Sequence, residues 1–198
     1  RLGVICGLSG LILSACVAGP PAGVHVDRQT LALSVLLDGS ISVREELLTR
    51  ISDPSRGSFS RTVTLERADE IFDVTAWLDG QALPAEGGDR TATVDQRAAA
   101  LRVVWRFPAG DAAPRRFTIE YRAAGAVARQ GDRGMVRWPV MPLVPDYPVE
   151  ASQVDVALPP GSMLLAPPLM TADGWAVEAR ADGFRATGTR GGGAPVFA

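Results

Sequence analysis

The chain has 198 residues, 46% of them hydrophobic, with 20 Lys+Arg against 22 Asp+Glu and a formal net charge of −2. That length suffices for one ordinary domain that folds without staples, and the charge leaves no basic footprint for nucleic acid. Lys and Asn are absent, so Schiff-base chemistry, a P-loop, a Ser-Lys dyad and N-glycosylation are all excluded.

An apolar run follows Arg1 and ends at Leu13-Ser14-Ala15-Cys16. It is too short to cross about 30 Å of hydrocarbon as a helix and matches the core of an export signal. Its end resembles a bacterial lipobox, which implies cleavage before Cys16 and lipidation of that thiol. An ordinary secretory signal, or an uncleaved anchor with Cys16 incidental, is the alternative. Cys6 would leave with the signal, so the exported domain would hold no disulfide. Residues 1–15 are thus expected to be a signal peptide and residues 16–29 a lipid-anchored tether. Small and Pro-rich at 17–23, the tether carries the only imidazole, His25.

From residue 30 the hydrophobic period is 2. Leu31, Leu33, Val35 and Leu37 alternate up to Asp38-Gly39, which reads as a tight hairpin turn with both residues at positive φ. Ile41 and Val43 alternate on the return. Phe59, Val63 and Leu65 form the next set, then Phe72, Val74, Ala76 and Leu78, with a second turn at Asp79-Gly80. Trp77 falls on the polar phase of its strand. Residues 95–101 are the one faintly helical stretch. Leu101, Val103, Trp105 and Phe107 then oppose Phe117, Ile119 and Tyr121 across a loop, as half-buried antiparallel neighbours. Later strands are expected at 135–138, 154–158, 175–179 and 184–187. Nine or ten short strands with regular turn signals predict an all-β fold over residues 30–198, an antiparallel β-sandwich, immunoglobulin-like in the loose sense. The apolar end at Val196-Phe197 suggests a strand cut short at the C-terminus, and the missing initiating Met a piece of a longer gene product.

Several segments together resemble an exported N-terminal domain of bacterial predicted membrane proteins, the domain of unknown function 2207 family. They are the Asp38-Gly39 turn followed by Val43-Arg44-Glu45, the Arg56-Gly57 step followed by Arg61, and a strand closing on Tyr121-Arg122. Residues 132–138 around Asp132 and Trp138, and the strand ending at Leu158-Pro159, complete the set. The resemblance covers about residues 30–160 and implies a membrane-associated module; it carries no catalytic residue with it. Family members usually continue into membrane helices and a cytoplasmic tail; the expectation here is either a lipoprotein version or a fragment.

No residue set stands out as catalytic. His25, in a tether, has nothing to hold it in a triad, and one His without a spare Cys offers no zinc site. Asp69, Glu70 and Asp73 have oxygen ligands for Ca²⁺ but read more simply as a solvated turn. Glu45 and Glu46 point to opposite faces of a strand and cannot act together. Arg56 and Arg61 could clamp an anionic glycan or lipid head group, or form a surface or structural ion pair with Glu45 or Glu46. The Pro-rich stretch 135–149 could expose Trp138, Met141 and Tyr147 to a partner, or fold back to cap the sandwich. The expectation is a non-enzymatic cell-envelope protein without cofactor or metal, held to the membrane by an N-terminal lipid outside the cytoplasm. Its partners would be envelope proteins or glycans. The rivals are a carbohydrate-binding or enzymatic accessory domain, and the sensor portion of a longer membrane protein.

Overall fold

The computed structural model describes residues 23–64, 68–97, 100–110, 113–131, 133–136, 138–139, 147–165, 168, 174–189 and 196–197. In chain order the strands are β1 (Val24–Val35), β2 (Ile41–Ile51), β3 (Ser58–Thr64), β4 (Glu70–Leu78), β5 (Gln81–Ala82), β6 (Thr91–Arg97), β7 (Ala100–Arg106) and β8 (Arg115–Ala124). There follow β9 (Val127–Gln130), β10 (Arg133–Val136), β11 (Trp138–Pro139), β12 (Val149–Ala157), β13 (Trp175–Arg180), β14 (Gly183–Thr189) and β15 (Val196–Phe197). No helix occurs among the described residues, and the all-β expectation holds. The stretch read as faintly helical joins two strands instead, β6 and β7, which pair with each other.

An eight-stranded sheet in the order β13-β14-β12-β1-β2-β8-β4-β5 forms one layer, and β3-β7-β6 forms the other. The pairing is antiparallel except between β1 and β12, which run parallel. The layers meet through aromatic rings: Phe59 of β3 stacks on Phe117 of β8 at 4.4 Å, and Trp105 of β7 meets Phe117 edge-on at 5.3 Å. Leu101, Val103 and Trp105 are fully buried, as their alternation predicts.

Two bulges decide which face each strand presents. In β1 the register slips between Val26 and Arg28, so Val24 and Val26 share the buried face with Gln29, Leu31 and Leu33. Strand structure therefore begins at Val24, and residues 24–29, expected in the tether, belong to the sheet. In β4 the slip lies between Phe72 and Thr75, with Asp73 at φ 54°. Ile71, Ala76 and Leu78 are buried while Phe72 and Val74 are only half-buried. Strict alternation had put Phe72 and Val74 in the core.

The two Asp-Gly turns differ. Asp79 and Gly80 both have positive φ, 52° and 84°, as a two-residue hairpin turn requires. At the first turn only Gly39 does, at φ 85°. There Gly39 N donates to Leu36 O and Leu36 N to Ser40 O, which makes a three-residue loop closed by a left-handed glycine rather than the expected two-residue turn.

Candidate functional site

The register of β2 turns Ile41, Val43, Glu45, Leu47, Thr49 and Ile51 inward. A carboxylate therefore lies on the apolar phase of a central strand. In β3 the inward set is Phe59, Arg61 and Val63, which places a guanidinium on the facing layer. The two charges meet in the core. Arg61 Nη2 and Nε donate to Glu45 Oε1 at 2.7 and 3.0 Å, and Nε also to Oε2 at 3.1 Å. Gln29 Nε2 donates to the same carboxylate at 2.6 Å, and Ser152 Oγ donates to Gln29 Oε1 at 3.4 Å. All four residues are buried. The network ties β3 to β2 across the layers, and β2 through β1 to β12 within the large sheet.

Electrostatics in this core are strong because little solvent screens them. Burial alone would lower the Arg61 pKa, but the Glu45 carboxylate beside it outweighs that and holds the guanidinium firmly charged. Burial pushes the Tyr121 phenol up, and the Glu45 charge pushes it further, so Tyr121 stays protonated.

Arg61 is thus not available to a soluble glycan or head group; of the readings open to it, the ion pair with Glu45 is the one observed. Arg56 lies half-buried in the loop after β2, its amide bonded to Asp53 O at 3.2 Å. The two arginines do not form one clamp. Trp138 and Tyr147, candidates either for exposed partner contacts or for folding back on the sandwich, are buried. Trp138 stacks on Tyr121 at 6.4 Å and Tyr147 packs on Phe59 at 5.2 Å. Both fill the sandwich interior, as apolar groups on a long crossover do. Met141 and Cys16 lie outside the described residues. Glu46 faces outward to Arg44 and Arg116, so the two glutamates do point apart. Asp69, Glu70 and Asp73 are all exposed and do not form a three-ligand group among the described residues.

Outside the core, the face of the large sheet turned away from β3-β7-β6 carries a lattice of ion pairs. Arg44 pairs with Glu120, and Arg122 with Asp38 while lying over the Phe72 ring at 5.0 Å. Asp155 of β12 accepts from Arg185 at 2.6 Å, Arg180 at 3.2 Å and Gln153 at 2.6 Å. Burial would raise its pKa, but the bonds from Arg185 and Gln153 outweigh burial and lower it. Asp27, Asp38 and Asp53 are lowered as well, chiefly by hydrogen bonds from Arg50, Ser40 and Ser55 respectively.

A depressed folded-state value stabilises the fold above the unfolded value, near 3.8, and that stability is lost as pH falls through the folded value. Thermal melts are therefore expected to lose midpoint temperature as pH falls from about 5 to about 2. Asp155→Asn should start lower at neutral pH and slope less over that window. A variant with the wild-type slope would show that Asp155 is not among the responsible groups.

Sequence reasoning missed the second cluster altogether. His25 is not in a tether but is the second residue of β1 and half-buried. Its Nδ1 lies 3.1 Å from Asp27 Oδ1 and its Nε2 3.2 Å from Glu150 Oε1. Arg50 of β2 donates to Asp27 Oδ1 through Nε at 2.8 Å and approaches it through Nη2 at 2.7 Å. Only the parallel register of β1 on β12, with Val26 opposite Val149, brings Glu150 there. No local signal announces a contact of that sequence separation.

The comparisons with known proteins bear on the fold. A family model described as "Predicted membrane protein (DUF2207) N-terminal domain" matches residues 25–192. No curated protein matches the chain. Among solved structures, a nutrient-binding protein of Legionella pneumophila aligns at TM-score 0.54 and 10% identity, over 90% of this chain and 68% of that one. Yeast LTA4 hydrolase in complex with bestatin aligns at TM-score 0.50 and 13% identity, over 82% of this chain and 26% of its own. An M1 zinc metallopeptidase from Deinococcus radiodurans aligns at TM-score 0.44 and 16% identity, over 85% of this chain. The chain spans 39% of that peptidase's length. At such identities these likenesses concern the fold alone.

Proposed function

The chain belongs to the family of predicted membrane proteins matched over residues 25–192, as its N-terminal domain, and from that premise we propose a non-enzymatic envelope module. In this reading the sandwich is exported, held at the membrane by lipid on Cys16, and presented to envelope partners outside the cytoplasm. One geometric observation carries the reading. β1 starts at the same end of the large sheet at which β14 finishes: Val26 lies opposite Val149, and Ala151 opposite both Arg28 and Thr189. An anchor before β1 would therefore hold that end of the sandwich to the bilayer, while after β14 the chain returns to pair β15 with β11. The opposite end, with the Leu36–Ser40 loop and an exposed Leu37, would face away from the bilayer.

Glu45 and Arg61 hold each other in the core, and on the outer surface Asp38, Glu120 and Asp155 face arginines. This supports an interaction or structural role over an enzymatic one.

Metabolic labelling with an alkynyl fatty acid, combined with protease added to intact spheroplasts, tests the proposal. Wild type is expected to label, and its sandwich to be cut from outside. Cys16→Ala is expected to lose the label and to shift out of the membrane fraction. A Cys16→Ala chain that labels as well as wild type, or a sandwich protected until the cells are lysed, would overturn it.

A further inference from the structure

The cluster around His25 points to a cation. Both ring nitrogens lie within about 3.2 Å of a carboxylate oxygen, on Asp27 to one side and Glu150 to the other. A neutral imidazole has one N–H and makes one of these contacts as a hydrogen bond, whereas the imidazolium makes both. In the neutral ring the other contact sets a nitrogen lone pair against a carboxylate oxygen, an arrangement that a shared cation, proton or metal ion, stabilises.

Asp27 is the carboxylate better placed to accept the N–H. It is the extra residue of the β1 bulge on the strand that carries His25, and Arg50 steadies it through Oδ1. That arrangement fixes Nδ1–H toward Asp27 and leaves the Nε2 lone pair toward Glu150. An imidazole oriented by a carboxylate through its other nitrogen is the usual outer shell of a histidine metal ligand. Ligand atoms of a tetrahedral zinc ion stand about 3.3 Å apart for bonds near 2.0 Å, and His25 Nε2 and Glu150 Oε1 are 3.2 Å apart. The ligand-capable atoms of all three residues lie within 4.8 Å of one another.

We propose that His25 Nε2 and the Glu150 carboxylate form a surface site for a borderline divalent cation of the Zn²⁺ class. Asp27 positions the ring from behind, and water completes the coordination. The imidazole selects against Mg²⁺ and Ca²⁺, which take oxygen ligands. With two protein ligands and Arg50 close by, the affinity is modest. The site bridges β1 and β12, the parallel seam of the large sheet, at the end where the chain enters it.

His25 is the only histidine in the chain, so its ring resonances are a unique reporter. ZnCl₂ is titrated into the full chain, purified in detergent with ¹⁵N-labelled histidine, beside an equal MgCl₂ titration. Saturable movement of Nε2 with Nδ1 still protonated is expected for Zn²⁺ and not for Mg²⁺. Glu150→Gln is expected to abolish it, and Asp27→Asn to weaken it about tenfold or more. Metal on Nδ1, no saturation below about 1 mM, or binding unchanged in Glu150→Gln would each overturn the site. Neither result depends on lipidation or export, so the membrane proposal stands or falls separately.

Discussion

Arg61→Ala is expected to destabilise the domain by about 3–5 kcal/mol, because it leaves the Glu45 carboxylate buried without its counter-ion. Glu45 is 2% exposed and accepts three bonds from Arg61 and one from Gln29. Loss of the guanidinium leaves Glu45 with the bond from the Gln29 amide, far too little to solvate a charge in an apolar interior. Glu45→Ala should cost a similar amount by stranding the cation instead. Removing both charges has a different outcome. Glu45→Leu with Arg61→Met replaces the pair with apolar groups of similar size, and such exchanges are often neutral or stabilising. The double variant takes the Glu45 acceptor away from Gln29 Nε2, which offsets part of the gain. Urea midpoints measured for the two singles and the double give the result directly. A single variant that costs less than about 1 kcal/mol, or a double variant no better than either single, would show that the pair is solvated in solution.

The same pair shows where the sequence is transparent and where it is not. Alternation identifies the core residues of β7 and β8 because each has one wet and one dry face. Leu101, Val103, Trp105, Phe117, Ile119 and Tyr121 are all buried as read. Glu45 and Arg61 sit on that dry phase too, between Val43 and Leu47 and between Phe59 and Val63. Opposite charges on the apolar phases of two strands are a readable signal for a buried pair. The choice between a buried ion pair and a surface clamp could not be made without knowing that β3 and β2 face each other. Phase errors have another origin. A bulge inserts one residue and offsets the phase of the segments on its two sides, so with Ala76 and Leu78 turned inward it is Ile71, not Phe72, that is buried before it. The His25 cluster was hidden most completely. It depends on the parallel pairing of β1 with β12, a contact between strands more than a hundred residues apart that no turn residue announces. Trp138 and Tyr147 were legible only as alternatives. A Pro-rich crossover and an exposed contact loop share one composition, and packing on Tyr121 and Phe59 decides between them.

Trp105→Ala is expected to cost about 3–5 kcal/mol, through both the cavity and the lost interlayer contacts. The indole is fully buried, lies against Phe59 at 5.7 Å and Phe117 at 5.3 Å, and donates through Nε1 to Trp77 O at 3.1 Å. That last bond crosses between layers, since Trp105 lies on β7 and Trp77 on β4. Trp105→Phe separates the two contributions. It keeps an aromatic face for Phe59 and Phe117 but offers no donor to the Trp77 carbonyl, so about 1–3 kcal/mol of the loss should remain. If it is instead as damaging as alanine, the bond rather than volume dominates. Combining Trp105→Phe with Arg61→Met and Glu45→Leu then asks how the layers are held in register. The two polar ties lie on different strand pairs, β7 with β4 and β3 with β2, so their costs should add within about 0.5 kcal/mol if each acts alone. A larger deficit, with a reduced urea m-value, would mean that the ties together specify how the small sheet sits on the large one. Apolar packing would then supply the adhesion, and the polar ties the alignment.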